Sequence, residues 1–337
     1  MRERVQYFDL MRCVAAIAVI AIHVLAPYRQ LLGDIPFGEW LTAVTVNGIS
    51  RWAVPVFILI TGALMLSDTR PFDFHYYVKR RLGKVLVPFL VWSLFYAYLS
   101  GWSLHGFDIN TVKQVLSDSY HHATYYHLGF FYYFIPLYFV IPLFQWLIRH
   151  YDESVILGFI SIWLATTFLY LLGIDGIWSN QLWLYSGYLP LGYWLYKMVP
   201  NTRLNLVRAI YLGGIALVFT VVMVVDLSLA ADKYTVGRWL SYKTLNVVLA
   251  ASMVFVVCRY LAGHLSDKAQ SVVGLISKHS LGIYILHPIF LWPMKQFEWY
   301  QGNPLWVIPC WVLLSGTGAL ATSWLLARSA KTRWLLP

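Results

Sequence analysis

Residues 7–26 read YFDLMRCVAAIAVIAIHVLA, and this stretch decides the fold. A helix that crosses a membrane needs about 20 predominantly apolar residues, which is the length of the stretch. It carries Asp9, Arg12 and His23, and no convincing small-residue cleavage site follows it. We therefore interpret it as a retained transmembrane helix with ionisable side chains, and not as a signal peptide.

The composition of the whole chain supports a membrane protein. Of its 337 residues, 59% are hydrophobic and 12% are charged, whereas a soluble domain carries about 25% charged residues. The net charge of +10 is typical of cytoplasmic loops that collect Lys and Arg, so we do not predict binding to nucleic acid. The three cysteines lie far apart within apolar stretches, which is not the pattern of a disulfide framework or a zinc site.

Apolar stretches of this kind recur along the chain. They predict about ten spans, at residues 7–26, 45–66, 85–101, 128–148, 154–172, 181–198, 208–226, 243–262, 280–297 and 304–326. With the N-terminus in the cytoplasm, 18 of the 25 Lys and Arg residues lie on the inner side and 7 on the outer side. The predicted fold is an all-α integral membrane bundle with both termini cytoplasmic. Residues 1–337 form a single membrane-embedded domain in this prediction, with no separate soluble domain.

The first span carries the clearest chemical signal. Asp9 and Arg12 lie three residues apart and share a helix face. His23 lies about 16 Å beyond Arg12 along the same helix, on nearly the same face. Ionisable groups inside a membrane usually face the bundle interior and mark a functional path. We interpret His23 as a general base. The alternatives are a hydrogen-bonded core imidazole for His23 and a headgroup anchor for the Asp9–Arg12 pair.

A basic cluster lies in the predicted cytoplasmic loop at residues 67–84. It contains Lys79, Arg80, Arg81 and Lys84, and such a cluster can hold phosphate groups. The alternative is the ordinary excess of cations on the cytoplasmic side. The chain contains no P-loop motif, so a nucleotide-bearing ligand must be held in another way.

Two further segments invite interpretation. Three histidines, His121, His122 and His127, lie in the outer segment, but no carboxylate or cysteine joins them at ligand spacing, so we predict no metal site. The tyrosines in this segment are typical of sugar stacking or of the headgroup region. Ser277, near the ninth predicted span, has the character of a helix N-cap.

Four motifs then follow one another along the chain. They are Arg12 and His23 in an Arg-x10-His pattern, SRWAVPVFILITGALML at residues 50–66, Arg81-Leu-Gly-Lys84 before Pro88, and ISKHSLGIYILHP at residues 276–288. Together they resemble membrane acyltransferase family 3, whose members O-acylate cell-surface glycans and related compounds. The enterobacterial O-acetyltransferases of surface polysaccharide are similar smaller members. Thr61 stands where the family usually has Ser, and Lys84 replaces an Arg, which keeps the charge but loses the bidentate fork.

The resemblance implies a function and a set of site residues. The function is transfer of an acyl group, acetyl in the simplest case, from cytoplasmic acetyl-CoA to a hydroxyl of a cell-surface or lipid-linked glycan. It implies a multi-pass protein of the bacterial inner membrane, surrounded by membrane lipid. The implied residues are His23, Arg12 and Asp9 for catalysis, Arg81, Lys84, Arg80 and Lys79 for the donor phosphates, and Tyr284, His287, Thr61 and Arg51 for the cavity wall.

Several alternatives stay open at this point. His23 either deprotonates the acceptor hydroxyl or carries the acyl group itself. The acceptor sugar, the acyl chain and the oligomeric state, a homo-oligomer included, are not determined by the sequence. A glycan or lipid transporter without acyl-transfer chemistry also needs interior charges and aromatic cavity walls, and it is the main alternative function.

Overall fold

The computed structural model describes residues 6–336, and these residues form a bundle of helices. Arg2 and Arg4, which contribute to the inner charge count, lie outside the described residues. One short antiparallel hairpin pairs β1 (Trp102–Ser103) with β2 (Gly106–Phe107). The helices are α1 Gln6–Val24, α2 Phe37–Ser50, α3 Ala53–Leu66, α4 Phe74–Tyr77, α5 Gly83–Ser100, α6 Ile109–Asp118, α7 Gly129–His150, α8 Glu153–Leu171, α9 Gln181–Ser186, α10 Tyr188–Lys197, α11 Arg203–Ala230, α12 Leu245–Leu261, α13 Asp267–Gln296 and α14 Pro304–Arg328.

The helices confirm an all-α polytopic membrane protein. Within residues 6–336, nine helical segments are long and apolar enough to cross a membrane. They are Gln6–Val24, Phe37–Leu66, Phe74–Ser100, Tyr126–His150, Glu153–Leu171, Arg203–Ala230, Leu245–His264, Asp267–Gln296 and Pro304–Arg328. The segment at residues 181–197, expected as a tenth span, is a further helical and apolar stretch, but it is divided into two short helices, so it is not one of the nine.

That further stretch differs from the single helix expected at residues 181–198. It consists of α9 and α10, which meet at Gly187. Pro190 lacks the N–H that would bond to the carbonyl of Ser186, and this missing bond accounts for the interruption. Several of its side chains are fully buried, including Leu184, Tyr188 and Leu189.

The second predicted span is also interrupted. It extends over α2 and α3, which are separated by a turn at Arg51 and Trp52. Pro55 cannot donate to the carbonyl of Arg51, so the helical hydrogen-bond ladder is broken at this point. The interruption places the Arg51 side chain at a helix junction within the bundle, where it donates a hydrogen bond of 3.1 Å to the Tyr242 hydroxyl.

The basic cluster lies in a helix, not in the loop that the sequence suggested. Asp73 caps α4 by accepting a hydrogen bond of 2.9 Å from the Tyr76 amide. The π-helical turn Val78–Leu82 then joins α4 to α5. An isolated π-helical turn is uncommon and frequently marks a functional site. Its effect here is to hold Arg80 and Arg81 on a regular backbone at the start of a membrane span.

Helix α1 lies at the centre of the bundle. It packs against α13, α3, α14 and α12, and its buried side chains include Met11, Ala15 and Val24. The neighbouring pair α3 and α10 approach each other closely, because a Cβ atom on Gly62 would lie 2.2 Å from the carbonyl oxygen of Leu189. Small residues permit such contacts between membrane helices.

Helix α13 is longer than predicted and runs as one piece from Asp267 to Gln296. Ser266 caps it by accepting a hydrogen bond from the Ala269 amide. The interpretation of Ser277 as an N-cap is therefore wrong, because Ser277 lies in the interior of the helix. From the third turn, its hydroxyl donates a hydrogen bond to Asp9 of α1.

Candidate active site

Three histidines from three helices meet in the bundle, and we call them the histidine cluster. His23 lies in the last turn of α1, His127 in the turn that precedes α7, and His287 in α13. The ring centroids of His23 and His287 are 5.2 Å apart, and those of His127 and His287 are 5.8 Å apart. His127 and His287 are buried, whereas His23 is half-buried. A group that enters beside His23 would therefore meet all three rings.

The hydrogen bonds of the cluster determine what its nitrogens can do. Nδ1 of His287 lies 3.1 Å from the carbonyl oxygen of Ile283. Since a carbonyl oxygen only accepts, this contact assigns the proton of a neutral ring to Nδ1 and leaves a lone pair on Nε2. No described residue bonds to that Nε2 or to either ring nitrogen of His127. The Ile285 carbonyl oxygen lies near the His127 ring and accepts a hydrogen bond from the Tyr96 hydroxyl.

Buried polar atoms without a protein partner are costly unless a ligand or water satisfies them. The histidine cluster presents three such nitrogens at one place in an otherwise aromatic environment. An alcohol could donate its proton to the Nε2 lone pair of His287. The arrangement is therefore suited to binding and deprotonating a hydroxyl group.

Aromatic rings and cations surround the histidine cluster. Tyr126 lies on His23 with a centroid distance of 4.7 Å, and Nζ of Lys295 lies 3.8 Å from the centroid of the same tyrosine. Tyr284 donates a hydrogen bond of 2.5 Å to the carbonyl oxygen of His127. Lys295 and Arg51 both act electrostatically on His23. Positive charge beside a reacting carbonyl stabilises the oxyanion that forms during acyl transfer.

A second feature lies nearer the other end of α1, and we call it the basic cavity. It has a volume of about 250 Å³ and brings together Arg12 of α1, Thr61 of α3, and Arg80, Arg81 and Lys84 of the basic cluster. Its remaining wall is mostly aromatic and aliphatic and includes Phe57, Phe130, Phe134, Tyr138 and Leu281. A lining that combines cations with apolar side chains suits a ligand with phosphates on an apolar arm.

An ion pair with Asp9 holds Arg12 at the edge of the basic cavity. Nη1 of Arg12 lies 3.9 Å from Oδ1 of Asp9, and the Ser277 hydroxyl donates a bond of 2.6 Å to the same oxygen. Asp9 is buried, and Ser277 holds it from the facing helix. The pair is therefore part of an interhelical contact, which a simple anchor at the headgroups would not require.

Arg81 lines the basic cavity, and its guanidinium also forms an ion pair with Asp68 in the loop before α4. Nη2 of Arg81 lies 3.8 Å from Oδ2 of Asp68, and Nη2 of Arg70 lies 2.5 Å from the same oxygen. The hydrogen bond to Asp68 raises the pKa of Arg70 above its ordinary value. Arg149 fastens this loop by donating to the carbonyl oxygens of Asp68 and Arg70. Asp68 thus provides the counter-charge for Arg81 in this state.

The histidine cluster and the basic cavity occupy different levels of one bundle. Arg12 and His23 are separated by about 16 Å along α1. Phe130 links the two levels, since it lines the basic cavity and its ring centroid lies 5.6 Å from that of Tyr284. A ligand that reaches from one level to the other must pass this aromatic contact.

The structure distributes the residues singled out in the sequence over these two levels. Arg12, Thr61, Arg80, Arg81 and Lys84 meet at the basic cavity, with Asp9 beside it, whereas Lys79 does not line it. His23 and His287 belong to the histidine cluster, the Tyr284 ring lies beside His287, and Arg51 acts electrostatically on His23. His23 and Arg12 therefore belong to separate levels.

Sequence reasoning missed three participants. His127 was grouped with His121 and His122, which are exposed, while His127 itself is buried in the cluster. The charge count places Lys295 among the seven outer cations and gives it no further role. Ser277 was assigned to a helix start. A signal for Lys295 was available, since a lysine inside an apolar span is costly and usually has a function.

A search of residues 6–336 finds no group of three or more His, Cys, Asp and Glu side chains placed to hold a metal ion.

Comparison with known protein families gives one match. The model of a family described as an acyltransferase domain, Acyl_transf_3, matches residues 5–328. Comparison with curated proteins and with solved structures gives no significant match.

Proposed function

The chain belongs to this acyltransferase family, and from that premise we propose that it carries an acyl group across the membrane. The donor is acyl-CoA, most simply acetyl-CoA, on the cytoplasmic side. The acceptor is a hydroxyl group of a cell-surface or lipid-linked glycan on the opposite side. One observation carries the proposal: a cation-lined cavity and a histidine cluster lie at two levels of the same central helix.

The basic cavity supports a role in donor binding. Arg81 and Lys84 would meet the pyrophosphate of CoA, and Arg80 and Arg12 add positive charge nearby. The apolar wall that continues toward Phe130 suits the pantetheine arm. An extended arm would then place the thioester beside the histidine cluster, and Thr61 of α3 would contribute a hydroxyl to its path.

The histidine cluster supports the chemical step. His23 removes the proton from the acceptor hydroxyl as the oxygen attacks the thioester carbonyl, a C–O bond forms, and the C–S bond breaks. The proton then passes from His23 to the departing CoA thiolate. Lys295 stabilises the negative charge on the carbonyl oxygen. The lone pair on Nε2 of His287 would accept a hydrogen bond from a second, non-reacting hydroxyl of the glycan, because the reacting hydroxyl gives its only proton to His23.

A variant of this mechanism uses His23 as a nucleophile. In it the imidazole accepts the acyl group from CoA and passes it to the acceptor oxygen in a second step. Both variants require the same residues. Rapid mixing with labelled acetyl-CoA in the absence of acceptor distinguishes the general-base mechanism from the nucleophilic one, because only the nucleophilic mechanism leaves label on the protein.

The proposal is tested with purified protein, labelled acetyl-CoA and a glycan acceptor. Wild type is expected to transfer label to the glycan, whereas His23→Ala is expected to bind acetyl-CoA without transferring it. A transporter would give no covalently labelled glycan with either protein, and that result would refute the proposal. If wild type does not bind acetyl-CoA, the assignment of acetyl-CoA as the donor is refuted.

A further inference from the structure

A second inner cavity adjoins the basic cavity, and we call it the C-terminal cavity. It has a volume of about 590 Å³ and lies between α1, α13, α14 and the turn at Arg333–Leu335. Its lining includes Arg12, Lys278, His279, Ser323, Arg333 and Leu336. Arg12, Ser280 and Leu281 line both cavities. A ligand that occupies the basic cavity can therefore extend into the larger one.

The C-terminal cavity is positively charged. Neither Lys278 nor Arg333 forms an ion pair within residues 6–336, and both side chains are exposed toward solvent. The one carboxylate in the lining, Asp9, already contacts Arg12 and Ser277. Two cations that have no ion-pair partner among the described residues, together with Arg12, give the cavity a positive charge that favours an anion.

The wall of the cavity is held in place from several sides. Thr332 donates a hydrogen bond of 2.7 Å to the Leu326 carbonyl, and Trp92 donates one of 2.8 Å to the Leu335 carbonyl. His279 and Ser323 are buried and lie 2.9 Å apart. The backbone that carries Arg333 is thus tied to α14 and to α5 beside the cavity.

Size and chemistry together select the ligand. Small-molecule sites usually have volumes of about 300–1,000 Å³, a range that includes the C-terminal cavity at about 590 Å³ but not the basic cavity at about 250 Å³. In acyl-CoA the pyrophosphate is attached to the pantetheine arm, and the nucleoside with its 3′-phosphate lies beyond it. If the pantetheine arm and the pyrophosphate occupy the basic cavity, the nucleoside end extends into the adjoining C-terminal cavity.

We propose that the C-terminal cavity binds the 3′-phosphorylated nucleoside of the acyl donor, with Arg333 and Lys278 as ligands of the 3′-phosphate. The inference rests on the proposed function and adds the residues that select the phosphorylated donor. A phosphate monoester carries about −1.5 to −2 charges at neutral pH, which matches the two uncompensated cations. The Arg81 and Lys84 pair remains assigned to the pyrophosphate.

The test compares acetyl-CoA with acetyl-3′-dephospho-CoA, which lacks only the 3′-phosphate. Calorimetric titration of the full-length protein in detergent gives a dissociation constant for each. Wild type is expected to prefer acetyl-CoA by about 10- to 100-fold, the effect of one charge-assisted hydrogen bond. Arg333→Gln is expected to remove most of this preference while changing the affinity for the dephosphorylated donor little.

Three further variants make the result specific. Lys278→Gln should also reduce the preference for acetyl-CoA over the dephosphorylated donor. Because Lys278 lies in α13, this effect does not depend on the C-terminal turn. Arg81→Gln should weaken both donors and keep their ratio. Lys331→Gln, a matched change at an exposed lysine of the same C-terminal segment, should leave both constants unchanged.

The outcomes separate this inference from the proposed function. If wild type transfers acetyl groups but does not distinguish the two donors, the inference is overturned and the function stands. The same holds if Arg333→Gln and Lys278→Gln both keep the wild-type preference. If wild type binds neither donor, the proposed function fails and the inference fails with it.

Discussion

Replacement of Asp68 by Asn is expected to strengthen donor binding. The Asp68 carboxylate lies 3.8 Å from the Arg81 guanidinium and 2.5 Å from that of Arg70. If Arg81 binds the donor pyrophosphate, the carboxylate competes with that phosphate and repels it. Asn keeps the size of the side chain and can still accept the hydrogen bond from the Arg70 amide, so the loop is expected to keep its conformation.

The distance sets the size of the effect. Two unit charges 3.8 Å apart interact by about 1 kcal/mol in water and by about 4 kcal/mol at an effective dielectric constant of about 20. The Arg81 side chain is 36% exposed, and exposed ion pairs usually contribute at most about 1 kcal/mol because solvent screens them. The lower value therefore applies, and about 1 kcal/mol corresponds to roughly a fivefold decrease in the dissociation constant of acetyl-CoA.

The assay is equilibrium binding of acetyl-CoA at low and at high salt. Asp68→Asn should lower the dissociation constant about fivefold at low salt, with a smaller effect at high salt because ions screen exposed charges. Asp152→Asn removes the same charge from an exposed position that does not line the basic cavity, and it should have no effect. An unchanged or weaker affinity in Asp68→Asn, with a normal thermal unfolding curve, would refute the assignment of Arg81 to the donor.

Three other changes test separate parts of the account. His23→Ala should lower acyl transfer by about 10²- to 10⁴-fold, the usual contribution of a general base, with normal acetyl-CoA binding; retained transfer would exclude His23 from the chemistry. Arg81→Ala should raise the dissociation constant of acetyl-CoA by about 10- to 100-fold, as expected for a lost charge-assisted bond, and an unchanged value would contradict the donor site. Gly62→Ala should reduce stability by about 1–3 kcal/mol in thermal unfolding, because its Cβ would lie 2.2 Å from the Leu189 oxygen. Gly214→Ala is the control and should not reduce stability, because there is open space around Gly214. Equal stability of the two variants would contradict the close packing of α3 and α10.

Much of the fold follows from the sequence, because the bilayer imposes its own length on every span. Stretches such as 154–172 and 304–326 correspond closely to α8 and α14. The errors arise where a local feature interrupts or extends an apolar stretch. Pro190 splits one span by removing a backbone donor, and the cap at Asp73 starts a helix well before the apolar residues begin.

The site was harder to predict than the spans. Arg12, Thr61 and Arg81 are brought to one cavity by the packing of α1, α3 and α5, which no local sequence pattern determines. Periodicity placed Arg12 and His23 on one face of α1 but could not show which other helices face them. His127 is a clear example, because only the fold distinguishes this buried ring from its exposed neighbour His122.

The most direct test of the account is transfer between two compartments. The protein is reconstituted into sealed vesicles in a known orientation, with labelled acetyl-CoA on the side of Arg81 and the glycan acceptor on the side of Lys295. The account predicts labelled glycan on the Lys295 side, with none when His23→Ala replaces wild type. Labelled glycan that forms only when donor and acceptor share the same compartment would contradict it.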